Sequence, residues 1–577
     1  IELARERVDA LVAGLNESNA GAAADPTGVQ LLPLRDDLVG PGRRTMLWIL
    51  AVAVGLVLLS ACVNVGNLVF ARSLGRKSDL AVRGALGSGR IRLMAHLLME
   101  SAILAATGGI VGVAVGWLGV RGILVMAPEA LPALVTPELS ARVFVVALAA
   151  TTLALAFFGL VPALRLSLTS PADALRTGGR GGTEGRGLRG MRNVLVVTQV
   201  AVAMVLMVGA GLLVRSFAEV QRVDLGFDDE GVLTFEVHLP VARYPDGDIR
   251  HRFHETFQDR IADLPGVDAV AATSWLPVSG RYHIWSLTPD FDRLEESERW
   301  ENADMRFFVG DYFDVMDITV IQGESPEDVD VEGAFAMWVN QGYAEAAFPD
   351  GDAVGSLVNA ANATRRIVGI VDDVAFEPRG STSYKAYIPH ANYADNRNWA
   401  LIQTVRARGD LGAVRERIRE ELRALDPQLV LFRPRPMRSL LASARAQDRF
   451  AASLMGTFAM LALILSAVGT YGVLATGVAR RRREIGIRIA LGADAGSVRG
   501  MVVGSAVGMT AGGVILGVAG AWVGSRWLQS LLFEVSPADP WVIGSSVMML
   551  VALGGLAAWV PARRATAVDP ARALTTE

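Results

Sequence analysis

One cysteine, Cys62, and six histidines are all that 577 residues hold of the common soft metal ligands. A lone thiol excludes a disulfide framework and any cysteine-rich metal site. Lysine is scarce as well, so nearly all of the 55 basic residues are arginine. No G-x-x-x-x-G-K-[ST] phosphate loop occurs. GRKS at 75–78 keeps only the tail of that motif and follows an apolar run instead of a strand, so ATP hydrolysis would have to come from another chain. No Ser/His/Asp arrangement stands out, and within the apolar runs Asn64 and Asn67 are the nearest polar candidates, neither a nucleophile. His251 and His254 sit three apart in HRFHETF with no Cys or further His nearby in sequence, and Asp372-Asp373 reads as a strand ending in a turn. No catalytic residue, metal or cofactor is therefore expected in this chain. Ile1 opens it without a signal-peptide pattern, which reads as an excised piece.

Apolar residues are what the chain has in plenty. At 51% hydrophobic and a mean hydropathy of +0.36 it is too apolar for an ordinary soluble protein. A bilayer core about 30 Å thick is crossed by roughly 20 apolar residues in a helix. Seven stretches qualify, near 46–70, 97–120, 143–163, 194–215, 452–478, 500–523 and 541–561. Several are rich in glycine, as in GMTAGGVILGVAGAWVG at 508–524, where small residues let helices approach closely in lipid. Arginine collects in the loops at 71–96, 164–193 and 479–499 and in the tail, while 124–141 and 525–540 are poor in it. That asymmetry puts the arginine-rich segments in the cytoplasm and the N-terminus outside.

The one long hydrophilic segment, 216–447, then lies outside. It holds 39 acidic against 24 basic residues and is long enough to fold by itself. VLTFEVHLP (232–240) alternates like a strand, 248–266 has helical period, and VDAVAATSWLP (267–277) is a second strand. ALIQTVRAR (400–408), a helix over 410–427 and QLVLFRP (428–434) repeat the pattern. Two strand–helix–strand units around RRIVGIVDDVAF (365–376) predict an α/β domain, split by a smaller subdomain near 278–398.

The chain also repeats itself. Asp79 and Glu484 are 405 residues apart, and the same offset relates Arg83 to Arg488, Leu86 to Leu491 and Gly87 to Gly492. VPALRLSLTSPADAL (161–175) recurs as VPARRATAVDPARAL (560–574), and ARERV (4–8) as VRERI (414–418). In each loop an acid precedes an arginine by four residues, the favourable order on a helix, and a glycine follows where a helix caps. Each loop thus encodes a short amphipathic helix at the membrane surface. The layout expected is two repeats of four spans, the first truncated. Residues 1–45 would be the remnant of a first extracytoplasmic domain. Residues 46–168 would form repeat 1 with its loop 71–96, 169–193 a cytoplasmic linker, and 194–215 the first span of repeat 2. The extracytoplasmic domain 216–447 and the remaining spans at 448–577, with loop 479–499, complete it.

The E-x-x-x-R-x-A-L-G loop, the glycine-rich span and the V-P-A-x-R exit resemble the MacB/FtsX superfamily of ABC transporter permeases, in its duplicated, acidobacterial type. The resemblance implies a transmembrane α-helical bundle with a porter-like α/β domain outside. It also implies that the loop helices couple to two cytoplasmic ATPase subunits. Carried over by position, the contacts are Asp79, Leu80, Arg83, Ala85, Leu86 and Gly87, with Glu484, Ile485, Arg488, Ala490, Leu491 and Gly492. Asp79 is shorter than Glu, and Gly84 weakens the first helix. The resemblance implies as further partners membrane lipid and a periplasmic adaptor or other extracytoplasmic protein, and no nucleic acid. The competing reading is an FtsX-like signalling protein that regulates an outside partner and moves no cargo.

Overall fold

In a computed structural model the residues described are 7–8, 34–75, 90–126, 140–155, 186–289, 301–329, 335–361, 363–375, 377–380, 383–393, 400–480, 485–488, 491 and 494–566. The chain divides into two compact units. One holds the apolar helices and begins with α1 (Leu34–Gly75), α2 (Arg90–Met126), α3 (Ala141–Leu155) and α4 (Arg186–Arg222).

The other unit is built mainly from residues 217–450. Its first elements are β1 (Val232–His238), α5 (Gly247–Ala262), β2 (Val267–Thr273), β3 (Ile284–Pro289) and β4 (Glu301–Gly310). Then come α6 (Tyr312–Met316), β5 (Val320–Gly323), β6 (Ala336–Asn340), α7 (Gln341–Ala347), β7 (Leu357–Ala360), β8 (Ala363–Val371) and β9 (Lys385–Pro389). β10 (Ala400–Ala407), α8 (Leu411–Leu425), β11 (Phe432–Pro436) and α9 (Met437–Ala444) close it. The order β11-β1-β10-β2 is antiparallel throughout, with α5 joining β1 to β2 and α8 joining β10 to β11. This is the split β-α-β of ferredoxin-like folds.

The amphipathic period explains how those two helices seat. Val414, Ile418 and Leu422 recur every fourth residue on α8 and are buried with Phe257 and Ile261 of α5 against Phe235 and Val405. Asp246 and Asp410 start the two helices by accepting from the backbone N–H of Asp248 and Gly412. The insertion, β3 to β9, continues the same sheet. β4 pairs antiparallel with β2 at its end and parallel with β9 along Asp304–Phe308. A second core beneath it gathers Met305, Phe307, Met337, Val339, Tyr343 and Ile388. One boundary differs from expectation. β11 starts at Phe432 because a turn occupies 426–429, where the Asp426 side chain accepts from Gln428 N, Arg243 Nη1 and Tyr244 Oη. Leu429 is buried with the helices instead of entering the sheet.

The apolar unit resumes with α10 (Ala446–Arg480), α11 (Ala495–Leu528) and α12 (Pro540–Thr566). Among the described residues six helices are long and apolar enough to cross a membrane: 44–66, 102–122, 193–222, 446–479, 496–531 and 540–564. The seventh stretch begins as α3, apolar over Val143–Thr152, and its remainder lies outside the described residues. α4 is the most enclosed, with Val196, Ala203, Met204 and Leu212 fully buried.

Glycine sets how closely the helices pack. A Cβ on Gly513 would stand 2.5 Å from Val200 Cβ and 2.9 Å from Val197 O, and one on Gly517 would lie against Met204 and 2.9 Å from Ala201 O. α11 therefore rides on α4 at backbone contact. Gly211 of α4 leaves room for the side chain of Val542 of α12, and Gly554 of α12 for that of Thr510 of α11. At the start of α12, Asp539 accepts from the backbone N–H of Trp541 and Val542 and pairs with Arg215 of α4 at 2.5 Å.

Candidate coupling site

Beyond Arg480 the described backbone resumes as a helical turn at 485–488. Ile485 is 4% exposed, packed with Val498 and against Val478 and Val502, so it pins the turn between the end of α10 and the start of α11. Arg488 is exposed, with Nη1 3.6 Å from Met501 Sδ of α11. The backbone N–H of Leu491 donates to Ile487 O at 3.0 Å, one helical turn, and Leu491 is 83% exposed. Asp494 then caps α11 by accepting from Gly496 N at 3.1 Å. Glu484, Ala490 and Gly492 lie outside the described residues, as do Asp79, Leu80, Arg83, Ala85, Leu86 and Gly87.

Above the loop, three helices meet through amides. Asn64 Nδ2 of α1 donates to Leu465 O of α10 at 2.7 Å, and Gln199 Nε2 of α4 lies 3.2 Å from the same carbonyl. Gly469 leaves room for both, since a Cβ there would stand 2.7 Å from Asn64 Oδ1 and 2.7 Å from Gln199 Cδ. The 405-residue offset makes Gly469 the counterpart of Asn64. That pairing was available in the sequence, where Asn64 was weighed only as a catalytic group. The same offset relates Trp117 and Arg121 to Trp522 and Arg526. In both pairs the guanidinium lies over the indole ring, at 4.0 and 4.6 Å.

The sequence-level decoys resolve into local roles. Asp373 Oδ1 accepts from Asn340 Nδ2 and Gly342 N, holding the turn from β6 into α7. His251 has a third histidine beside it, contrary to expectation. His390, 139 residues away, brings its Nδ1 to 3.2 Å from His251 Nδ1. Among the described residues no group of three or more His, Cys, Asp or Glu side chains is arranged to hold a metal ion.

His254 is wholly buried beside them, with its Nδ1 3.0 Å from Gln403 Nε2. Burial first, then the charges of His251 and Arg250, hold its pKa near 3 against an ordinary 6.5. Between those values the unfolded chain binds a proton that the fold refuses. Stability supplied by the neutral ring is therefore whole above pH 6.5 and drains away as pH falls toward 3. His254→Gln is expected to flatten the acid limb of the domain's melting-temperature curve. A curve as steep as the wild type's would rule this out.

Two families of known proteins match. The FtsX-like permease C-terminal model matches twice, at 51–171 and 456–570, and the two matches start 405 residues apart. The MacB-like periplasmic core domain matches 193–425. The chain belongs to the MacB-like, FtsX-like permeases. Relatives of this permease include the macrolide export ATP-binding/permease protein MacB 1/2 of Paracoccus denitrificans. It is 26% identical over 340 residues, which are 56% of this chain and 49% of that protein. The macrolide export ATP-binding/permease protein MacB of Escherichia coli K12 is 26% identical over 281 residues, 46% of this chain and 42% of that protein. The permease thus spans under half the length of these curated relatives. Among solved structures, the periplasmic region of MacB from Actinobacillus actinomycetemcomitans shares 12% identity and covers 38% of this chain and 95% of its own, at a TM-score of 0.27. The extracellular domain of the noncanonic ABC-type transporter YknZ from Gram-positive bacteria shares 17% identity and covers 34% and 93%, at 0.23. Superpositions this loose add nothing to the topology described above.

Proposed function

We propose that the chain is the permease subunit of an ABC-type transporter whose ATP hydrolysis is done by separate cytoplasmic subunits. Each loop helix grips one such subunit, and the movement passes through the spans to the domain outside, as efflux or as mechanical work on an outside partner. The observation that carries this reading is the split character of the loop after α10. Ile485 is anchored in the bundle while Ile487, Arg488 and Leu491 stand exposed. An open leucine beside an arginine, on a turn pinned from behind, suits a groove on a protein partner. The loop at 79–87 carries the same residue types at the same offset, a second grip of the same kind. The backbone-close packing of α11 on α4 supports transmission, because helices held that tightly shift together.

Capture of ABC ATPase subunits coexpressed from the same genome, by the tagged permease in detergent, tests the proposal. Leu491→Glu and Glu484→Lys are expected to lower capture at least tenfold or so, the loss of a central anchor worth about 2 kcal/mol. Undiminished capture by both, with wild-type melting, would sink it.

A further inference from the structure

PRPMRSLLASARAQDRF (434–450) carries four arginines in 17 residues where the chain runs into α10. Arg438, Arg445 and Arg449 lie seven and four residues apart, and the structure brings all three to the wall of one cavity of about 440 Å³. Its other side is formed by the last turns of α4, with Phe217 and Gln221, and by the segment that follows, with Asp224 and Asp229. The volume is that of a small-molecule site.

Three arginines and two aspartates, Asp224 and Asp229, line this cavity. Arg438 is loosely matched, with Nε 3.7 Å from Asp229 Oδ2 and Nη2 3.9 Å from Glu230 Oε1. Among the described residues neither Arg445 nor Arg449 has an acidic side chain within ion-pair distance, and Arg445 Nε is buried without a hydrogen-bond acceptor. The nearest neighbouring pair, Arg379 with Asp448, is already closed at 2.9 Å. Burial holds the Arg445 guanidinium below its ordinary pKa, and Asp229 only partly opposes it. A buried, unanswered Nε–H on a half-buried arginine is costly unless an acceptor occupies the space in front of it. The N-terminus of the 35-residue α10 begins at the next residue and adds its positive end.

We infer that this cavity is an anion site that takes a phosphate group. Planar guanidinium forks match phosphate oxygens in pairs, which favours phosphate over a simple halide. Two sources can offer it. α10 has far more residues than the roughly 20 a bilayer needs, so its first turns, with Arg449, stand at headgroup level beside phospholipid. Free phosphate or a soluble phosphate ester offers the same oxygens from the aqueous side.

The test is thermal melting of the full chain in neutral detergent, with added phosphatidylglycerol, phosphatidylcholine or inorganic phosphate, each against sodium chloride at equal ionic strength. Wild-type chain is expected to melt several degrees higher with phospholipid or with phosphate. Arg445→Gln and Arg449→Gln should each lose most of that gain, and Arg445→Lys should keep part of it. A gain from both lipids alone assigns the site to a headgroup, and a gain from inorganic phosphate assigns it to a free anion. No gain from any of the three, or a gain that survives in Arg449→Gln, overturns the inference. Arg449 is exposed, so that variant folds even where Arg445→Gln does not.

Discussion

Leucine in place of Gly517 is expected to leave the chain unable to pack its spans, while the same change at Gly508, on the same helix, is silent. At 517 the first added carbon already meets Met204 and stands 2.9 Å from the carbonyl of Ala201. The obstacle is backbone, which cannot swing aside, so α11 must lift from α4 along its length. Overpacking typically costs about 1–3 kcal/mol, and a forced helix displacement reaches the upper end or beyond. At 508 nothing lies within 4 Å of such a carbon. Size-exclusion profiles of the full chain in detergent should show aggregation for Gly517→Leu and a single sharp peak for Gly508→Leu. Two equal profiles would mean that the glycine contact does not govern assembly.

Gly469→Ala should be nearly as damaging, and Gln199→Ala should partly repair it. The new methyl would enter the space held by the Gln199 and Asn64 amides and push both off Leu465 O. Within a bilayer such interhelical hydrogen bonds average about 0.6 kcal/mol each, so the steric term dominates. Shortening residue 199 removes the closer of the two clashes. The double variant should then melt above Gly469→Ala alone, with a coupling of about 0.5–3 kcal/mol. Strictly additive losses would show that the two residues do not share this space.

Local pattern carried much of this architecture. The apolar runs and the alternation in 232–240 and 400–408 name their elements because each reports its own surroundings. What pairs with what is a different matter. That β1 lies between β10 and β11 depends on contacts about 170–200 residues apart, which no local period encodes. β11 slipped four residues from its expected start because Asp426 found Arg243 and Tyr244, two partners from the far end of the domain. His390 beside His251 was hidden for the same reason. The candidate loop residues stood out through the repeat. Ile485 was read with them as a partner contact, and only tertiary packing shows it turned inward onto Val498.

The crossing at Asn64 and Gly469 has a consequence for how the two halves can change. One half supplies a knob and the other, at the corresponding place, the hole that admits it. Two copies of the first half would drive amide into amide, and two copies of the second would leave a gap lined by an unanswered carbonyl. The chain is committed to a marriage of unlike partners. Once joined so, neither half is bound to remain a copy of the other, and the sequences DLAVRGALG and EIGIRIALG already differ.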